Sequence, residues 1–253
     1  MRQVKTFVVL LLLFCSSLAG CLSQTPEESN MELVVEAESK NGTIVESYSD
    51  GEYLSTENVI LDFDFSLSTA SNRLVTFGID TGDGQAPISV DAASSSVVTL
   101  EFSNHGMYEL SAYAIDEEDN RETQTITVRI ELRIDWVESN TNNPKTLVFD
   151  PTPKNGGQNP IMIEIYSIVE NPSLIDEIGG SGQTVQFTWN IADEQDDVCQ
   201  SRSEQVSDGE EVHWNAIHFN TFQIHELRIS YDDGQDYIQI DQSVSILYDS
   251  ADA

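Results

Sequence analysis

The chain has 253 residues, and its 11 Lys and Arg against 44 Asp and Glu give a formal net charge of −33 and an isoelectric point near 4.1. A surface this acidic repels phosphate, which excludes nucleic acid as a partner, and three cysteines are too few for a disulfide scaffold. The sequence contains no Gly-x-Ser-x-Gly, His-Glu-x-x-His, phosphate-loop or dinucleotide-binding motif. We therefore predict no catalytic residue and no enzyme.

The N-terminal segment, residues 1–20, has the layout of a secretory signal peptide. Arg2 and Lys5 form a short basic region, residues 7–14 are all apolar, and small residues follow at positions 19–20. The apolar run is too short to span the roughly 30 Å hydrocarbon core of a bilayer. Because the signal carries no acidic residue, its removal leaves a chain that is more acidic still.

The segment closes on Leu18-Ala19-Gly20-Cys21, which resembles the lipobox of prokaryotic lipoproteins. The resemblance implies cleavage before Cys21 and a lipid on its sulfur; an ordinary signal peptide that ends near a cysteine is the alternative. Since one acyl chain holds a protein only marginally, two or more chains are implied. We expect a lipid-anchored protein on the extracellular face of the cytoplasmic membrane, or a periplasmic or outer-membrane one if the source is bacterial. The acidity favours a halophilic, archaeal source.

Residues 21–30 are polar and aperiodic, which is typical of a tether. Residues 31–133 then alternate apolar and polar side chains with period two, the pattern of half-buried antiparallel strands. We predict about seven strands in these roughly 100 residues, at Leu33–Ala37, Thr43–Tyr48, 61–67, 75–79, 98–102, 108–114 and 126–132.

Residues 134–253 contain a second series of alternating segments. The predicted strands begin near Ile134 and continue at Thr146–Phe149, Pro160–Val169, Thr184–Ile191, Glu211–Phe219, Phe222–Tyr231, Tyr237–Ile240 and Ser243–Tyr248. The stretches 150–160 and 193–209 are predicted loops. No segment has a sustained helical period. The predicted fold class is therefore all-β, with two immunoglobulin-like β-sandwich domains in tandem at 31–133 and 134–253. One large sandwich is the alternative.

The segment from Phe77 to Gly84 resembles the signature of the polycystic-kidney-disease-type (PKD) domain. Asp80, Gly82, Asp83 and Gly84 match that signature, whereas Thr81 replaces its phenylalanine. The resemblance continues over about residues 31–133, through Phe102, Gly106, Tyr108, 110–115, Asp116 and the closing strand Ile126, Val128, Ile130. It implies a divergent PKD-like sandwich that acts as an extracellular interaction or spacer module. The second domain matches no signature.

Acidic loop residues are the candidates for calcium, the cation that prefers clustered oxygen ligands. Turn formation is the competing interpretation, because Asp side chains bond nearby backbone amides and glycine permits positive φ. The predicted calcium ligands are Asp80, Asp83, Asp116, Glu118 and Asp119. Asp193, Glu194, Asp196 and Asp197 form a further candidate group of the same kind. Asn41 begins a glycosylation sequon, Asn41-Gly42-Thr43.

Three histidines follow a cysteine in the second half, at Cys199, His213, His218 and His225. Zinc sites use such residues, but His213 and His218 have opposite parity on a strand and must face opposite sides. We therefore expect ordinary strand histidines. The acidic run before Cys199 should raise its pKa and reduce its reactivity.

These features predict a non-enzymatic binding or spacer module at the cell surface, held to the membrane through Cys21 and contacting an unidentified protein or surface assembly. A glycan-binding module is the alternative, with Trp136, Trp189 and Trp214 as candidate platform residues. Core packing is nevertheless expected of at least Trp189. An accessory protein of a secreted hydrolase system is the other alternative.

The lipid anchor is tested by Cys21→Ser. We expect the variant to lose partitioning into membranes, because the sulfur that would carry the lipid is gone. Fractionation of cells into membrane and soluble pools measures this. Unchanged partitioning would contradict the anchor.

Overall fold

The computed structural model describes residues 30–173, 182–234 and 237–249. The predicted signal peptide, Cys21 and all of the tether except residue 30 lie outside these ranges. Every named element is a β-strand, and the prediction of an all-β, immunoglobulin-like sandwich fold is confirmed. Over the described ranges, no helix combines the length and the apolar character that crossing a bilayer requires.

The strands of the first half are short and mostly follow the predicted alternation. Their bounds are β1 Glu36–Ala37, β2 Asn41–Ser49, β3 Glu52–Glu57, β4 Val59–Asp64, β5 Leu74–Asp80, β6 Ile88–Asp91, β7 Val97–Phe102 and β8 Gly106–Asp116. A long strand, β9 Arg121–Thr141, follows.

The second half adds seven strands. They are β10 Leu147–Phe149, β11 Met162–Asn171, β12 Val185–Asp193, β13 Val198–Val206, β14 Glu210–His218, β15 His225–Asp233 and β16 Ile238–Leu247. Residues 150–160 form the predicted loop.

Three sheets hold these strands. The largest has the order β14-β11-β16-β9-β8-β5-β6, and β2 joins it by pairing in parallel with β9. A three-stranded sheet β1-β4-β7 covers its first half, where Phe65 stacks on Phe77. A four-stranded sheet β10-β15-β12-β13 covers its second half, where Trp189 packs against Trp214. The core of each half lies between the facing sheets.

Strand β9 belongs to both halves. Its residues 121–130 pair with β8 and residues 132–141 pair with β16, while residues 129–137 also pair with β2. Since a strand has only two edges, β8 and β16 lie end to end along one edge and β2 lies along the other. The change of partner falls between Ile130 and Leu132. The predicted division at residue 133 stays a prediction, and a continuous strand runs through that position.

Two polar contacts also join the halves. The buried His105 ring places Nδ1 2.7 Å from the hydroxyl of Tyr248. Asn155, in the 150–160 loop, donates from Nδ2 to the carbonyl oxygen of Met107 at 2.9 Å. Both contacts hold second-half segments against the end of the first sandwich.

The prediction of a loop over 193–209 is wrong, because β13 Val198–Val206 occupies most of it. This edge strand pairs only with β12 within the described chain, and Val206 is its one buried residue. A strand with little apolar burial carries no alternating signal. For the same reason the sequence does not predict β3 or β6. All residues of β3 are exposed.

The shared strand should make the two halves unfold together. We expect Leu132→Ala, at the change of partner in β9, to lower the free energy of unfolding by about 2–5 kcal/mol because a buried side chain is lost. Tryptophan fluorescence reports only residues beyond 135, whereas far-ultraviolet circular dichroism reports the whole chain. We expect the denaturation curves from fluorescence and from circular dichroism to coincide, both in the wild type and in Leu132→Ala. Two separated transitions would contradict the coupling.

Acidic side chains lie on the outward faces, as exposed Asp62 and half-buried Asp64 do on β4. Their mutual repulsion should destabilise the fold at low ionic strength, and salt should screen it. We expect the melting temperature to rise with sodium chloride up to about 1 M. Thermal denaturation across a salt series measures this, and a flat or falling response would contradict it.

Candidate functional site

The first predicted calcium loop follows β5. Asp80 Oδ1 accepts from the Gly82 amide at 2.9 Å, and Asp83 Oδ1 accepts from the Gln85 amide and the Thr81 hydroxyl. The bonds to Asp83 lower the pKa of its carboxyl group, and the bond from the Gln85 amide has the largest effect. Gly82 and Gly84 have positive φ of 71° and 83°, as the turn interpretation requires.

The second predicted loop connects β8 to β9. Asp116 is buried, and its carboxylate accepts from Asn120, from the Glu118 amide and from Asn72. The Asn120 side chain is the main cause of the lowered pKa of Asp116. Asp119 completes the turn with a positive φ of 64°.

The two loops lie at opposite ends of β5, because Asp116 pairs with Leu74 and Asp80 with Ser111. The structure therefore does not combine the five predicted ligands into one site. Calcium binding at either loop, and glycosylation at the exposed Asn41 that begins β2, stay predictions.

A different group of ligand-type side chains does converge. Cys199 at the start of β13, His218 at the end of β14 and His225 at the start of β15 each place one ligand atom within 4.8 Å of the others. The three residues come from both layers of the second sandwich, since β14 belongs to the large sheet and β13 and β15 to the four-stranded sheet. We call this group the thiol–imidazole cluster.

The two imidazoles of the cluster are buried, with His218 7% exposed and His225 0% exposed. Their rings pack edge to face, with centroids 4.5 Å apart. His225 Nε2 lies 2.8 Å from the Asn220 carbonyl oxygen, so it carries the proton and donates. No described residue hydrogen-bonds to His225 Nδ1 or to His218 Nε2. Buried polar atoms without a partner are rare in folded proteins.

The electrostatics of the cluster differ between its members. Desolvation, and then the neighbouring His225, lower the pKa of His218, so burial favours the neutral form of its ring. Partial burial and the carboxylates of Asp193 and Asp197 raise the pKa of the Cys199 thiol. The direction agrees with the expectation of a raised pKa after an acidic run, and the reduced reactivity of the thiol stays a prediction.

The expectation of ordinary strand histidines stays a prediction: His218 and His225 are strand residues, but they also converge with Cys199. His213 faces the other way, as its parity predicts. The sequence analysis named these residues but did not predict that they converge, because Cys199 lies on β13, which has no alternating pattern. Its partners come from two further strands, and sequence spacing does not reveal which strands of two packed sheets meet at one end.

A groove lies on the outer face of the large sheet, across β11, β14 and β16. It has a volume of about 460 Å³. The half-exposed side chains of Tyr166 and Ile217 form its apolar lining. Its polar groups are Glu164, Asn215, Ser243 and Ser245. We call it the outer-face groove.

The orientation of Tyr166 in this groove is fixed. Its hydroxyl lies 2.8 Å from His213 Nδ1, and His213 Nε2 lies 3.0 Å from Glu211 Oε1. Both partners stand on β14, the strand paired with β11. The ring of Tyr166 is therefore held as an exposed, oriented surface above paired strands.

The suggestion of a tryptophan platform is wrong. Trp136, Trp189 and Trp214 are 5%, 0% and 6% exposed and belong to the hydrophobic core. Trp189 donates from Nε1 to the Ser167 hydroxyl at 2.8 Å. The aromatic residues that reach the surface of the second half are instead Tyr166, Phe219, Phe222 and Tyr237.

No protein-family model and no curated protein matches the chain. Among solved structures, a carbohydrate-binding module of the β-sandwich superfamily is similar at 10% identity and a TM-score of 0.32, covering 85% of this chain and 97% of that one. The fibronectin(III)-like modules of Clostridium thermocellum CbhA are similar at 13% identity and a TM-score of 0.26, covering 70% and 94%. TM-scores this low carry no argument about function.

Proposed function

We propose that the chain is a non-enzymatic binding module, held at the cell surface by lipid on Cys21, whose contacts are made by the outer-face groove. In this proposal the PKD-like first half acts as a spacer between the membrane and the second half. The lipobox resemblance and the acidic surface support the location. The observation that carries the binding role is the oriented, half-exposed Tyr166 in the groove.

The construction of the groove suits binding without catalysis. Tyr166 and Asn215 are directly opposite each other on β11 and β14, and Ser243 faces Tyr166 from β16. Pairing holds the backbone of the three strands in place, and the His213 bond holds Tyr166, so a ligand would meet a largely preformed surface. Aromatic residues such as tyrosine supply a large part of the binding energy at such surfaces.

A protein of the surface assembly is the partner that we favour, and a glycan is the second candidate. The observation that favours a glycan is the mixture of groups beside the ring. Two hydroxyls, a carboxamide and the Glu164 carboxylate can exchange hydrogen bonds with sugar hydroxyls, while the Tyr166 ring covers an apolar sugar face. The negative charge of the chain makes an anionic glycan unsuitable.

We expect Tyr166→Ala to weaken partner binding about thirtyfold, because loss of an aromatic anchor at a contact surface commonly costs about 2 kcal/mol. The tagged full chain is used to recover partners from solubilised membranes, and in parallel is tested against a panel of neutral oligosaccharides. Recovery of a protein supports the favoured partner, and retention of a free oligosaccharide supports the glycan.

Tyr237→Ala is the matched control, because Tyr237 is also an exposed tyrosine but lies outside the groove. Equal loss of binding in both variants, or unchanged binding after Tyr166→Ala, would contradict the groove as the contact surface.

A further inference from the structure

We propose that Cys199, His218 and His225 form a site for a divalent transition metal, with Zn²⁺ as the principal candidate. Thiolate sulfur and imidazole nitrogen are the ligands that zinc prefers in proteins. Three protein ligands leave one tetrahedral position for water or an external ligand. The proposal is independent of the outer-face groove, which lies on the other side of β14.

The geometry of the cluster requires only a small adjustment to hold the metal. With bonds of about 2.0–2.3 Å, neighbouring ligand atoms in a tetrahedral zinc site lie roughly 3.3–3.7 Å apart. The candidate ligand atoms already lie within 4.8 Å of one another. Cys199 is exposed and sits near the start of an edge strand, so it is the ligand that can move.

The unpartnered nitrogens are the independent observation that points to a ligand. His225 donates from Nε2 to the Asn220 carbonyl oxygen, which leaves the Nδ1 lone pair directed away from that bond. A second hydrogen bond of this kind is how proteins fix the tautomer of a metal-binding histidine. His218 Nε2 is likewise buried and has no partner among the described residues. A metal bound through these two nitrogens would satisfy both. His218 would then carry its proton on Nδ1, which lies 3.5 Å from the Gln200 side-chain nitrogen, so the Gln200 carboxamide would turn to present its oxygen as the acceptor.

The surroundings favour a cation. Asp193 lies beside His225 in the β12–β15 pairing, and its carboxylate is held by the Gln195 and Asp197 amides and by Gln223. On binding, the Cys199 thiol loses its proton to solvent and the thiolate bonds to the metal, with no change in oxidation state. The positive ion offsets the nearby carboxylates that disfavour the thiolate in its absence.

A metal here would join the two layers of the second sandwich. His218 is the last residue of β14 in the large sheet, and Cys199 and His225 are near the starts of β13 and β15 in the four-stranded sheet. It would also fix the base of the β14–β15 loop, which exposes Phe219 and Phe222, each 70% exposed. Metal binding should therefore raise thermal stability as well as occupy the site.

The experiment titrates the full chain with Co²⁺ alone, as a spectroscopic substitute for zinc, and then displaces it with Zn²⁺. We expect one equivalent to produce a thiolate-to-cobalt charge-transfer band and the intense visible bands of a tetrahedral site. A Cys15→Ser, Cys21→Ser variant retains Cys199 as its sole cysteine, so the band should persist there. It should vanish in Cys199→Ser.

His218→Gln and His225→Gln should weaken cobalt binding by at least about tenfold, which is the loss commonly seen for removal of even an outer-shell partner. His213→Gln is the matched control for metal binding only, since His213 is on the same strand but faces the other way. Because a buried substitution can prevent folding, Cys199→Ser, at an exposed position, is the decisive variant. Zn²⁺ should raise the melting temperature of the wild type but not of Cys199→Ser.

Three outcomes would overturn the proposal. The wild type could give only the weak bands of octahedral cobalt, which exposed carboxylates produce. The charge-transfer band could survive in Cys199→Ser. His213→Gln could weaken cobalt binding as much as His218→Gln does.

Discussion

The backbone pairing of β9 is the constraint on which the two halves depend. Buried backbone amides and carbonyls must find partners, and this one strand provides them to β8 and β16 along one edge and to β2 along the other. Its inward side chains, including Val128, Ile130, Leu132 and Ile134, are buried in one continuous core. The register of the first sandwich is therefore tied to that of the second through one shared backbone, and the His105–Tyr248 and Asn155–Met107 contacts add to this connection.

Strand β14 shows how one edge strand can serve two purposes. Alternate side chains point to opposite faces of a sheet. Asn215 and Ile217 line the outer-face groove, whereas Trp214 and His218 face the four-stranded sheet. The proposed ligand surface and the proposed metal site are therefore separated by the thickness of a single strand. A metal at the inner face would stiffen the strand that carries the groove without touching a ligand there.

Period-two alternation was enough to predict the all-β class and most strands with one buried face, such as β4, β7 and β12. It could not predict β3 or β13, whose side chains are largely exposed, nor show that 126–132 and the strand beginning near Ile134 are one element. The turn role of Asp80 and Asp83 followed from local chemistry and agrees with their bonds, whereas the bonds of the buried Asp116 were not predicted. The thiol–imidazole cluster did not, because it depends on which strands of two sheets meet, and that is set by packing over long sequence separations.

The parallel pairing of β2 with β9 has a consequence for the order of folding. Asn41 pairs with Arg129, and Leu132 pairs with Ile246, which lies near the far end of the described chain. Such distant contacts make closure entropically costly and slow. Until β16 pairs with β9, the edge of β9 from residue 132 onward stays open. During that interval it is a template for pairing with other chains, so correct folding of this protein depends on keeping that edge apart from its own copies.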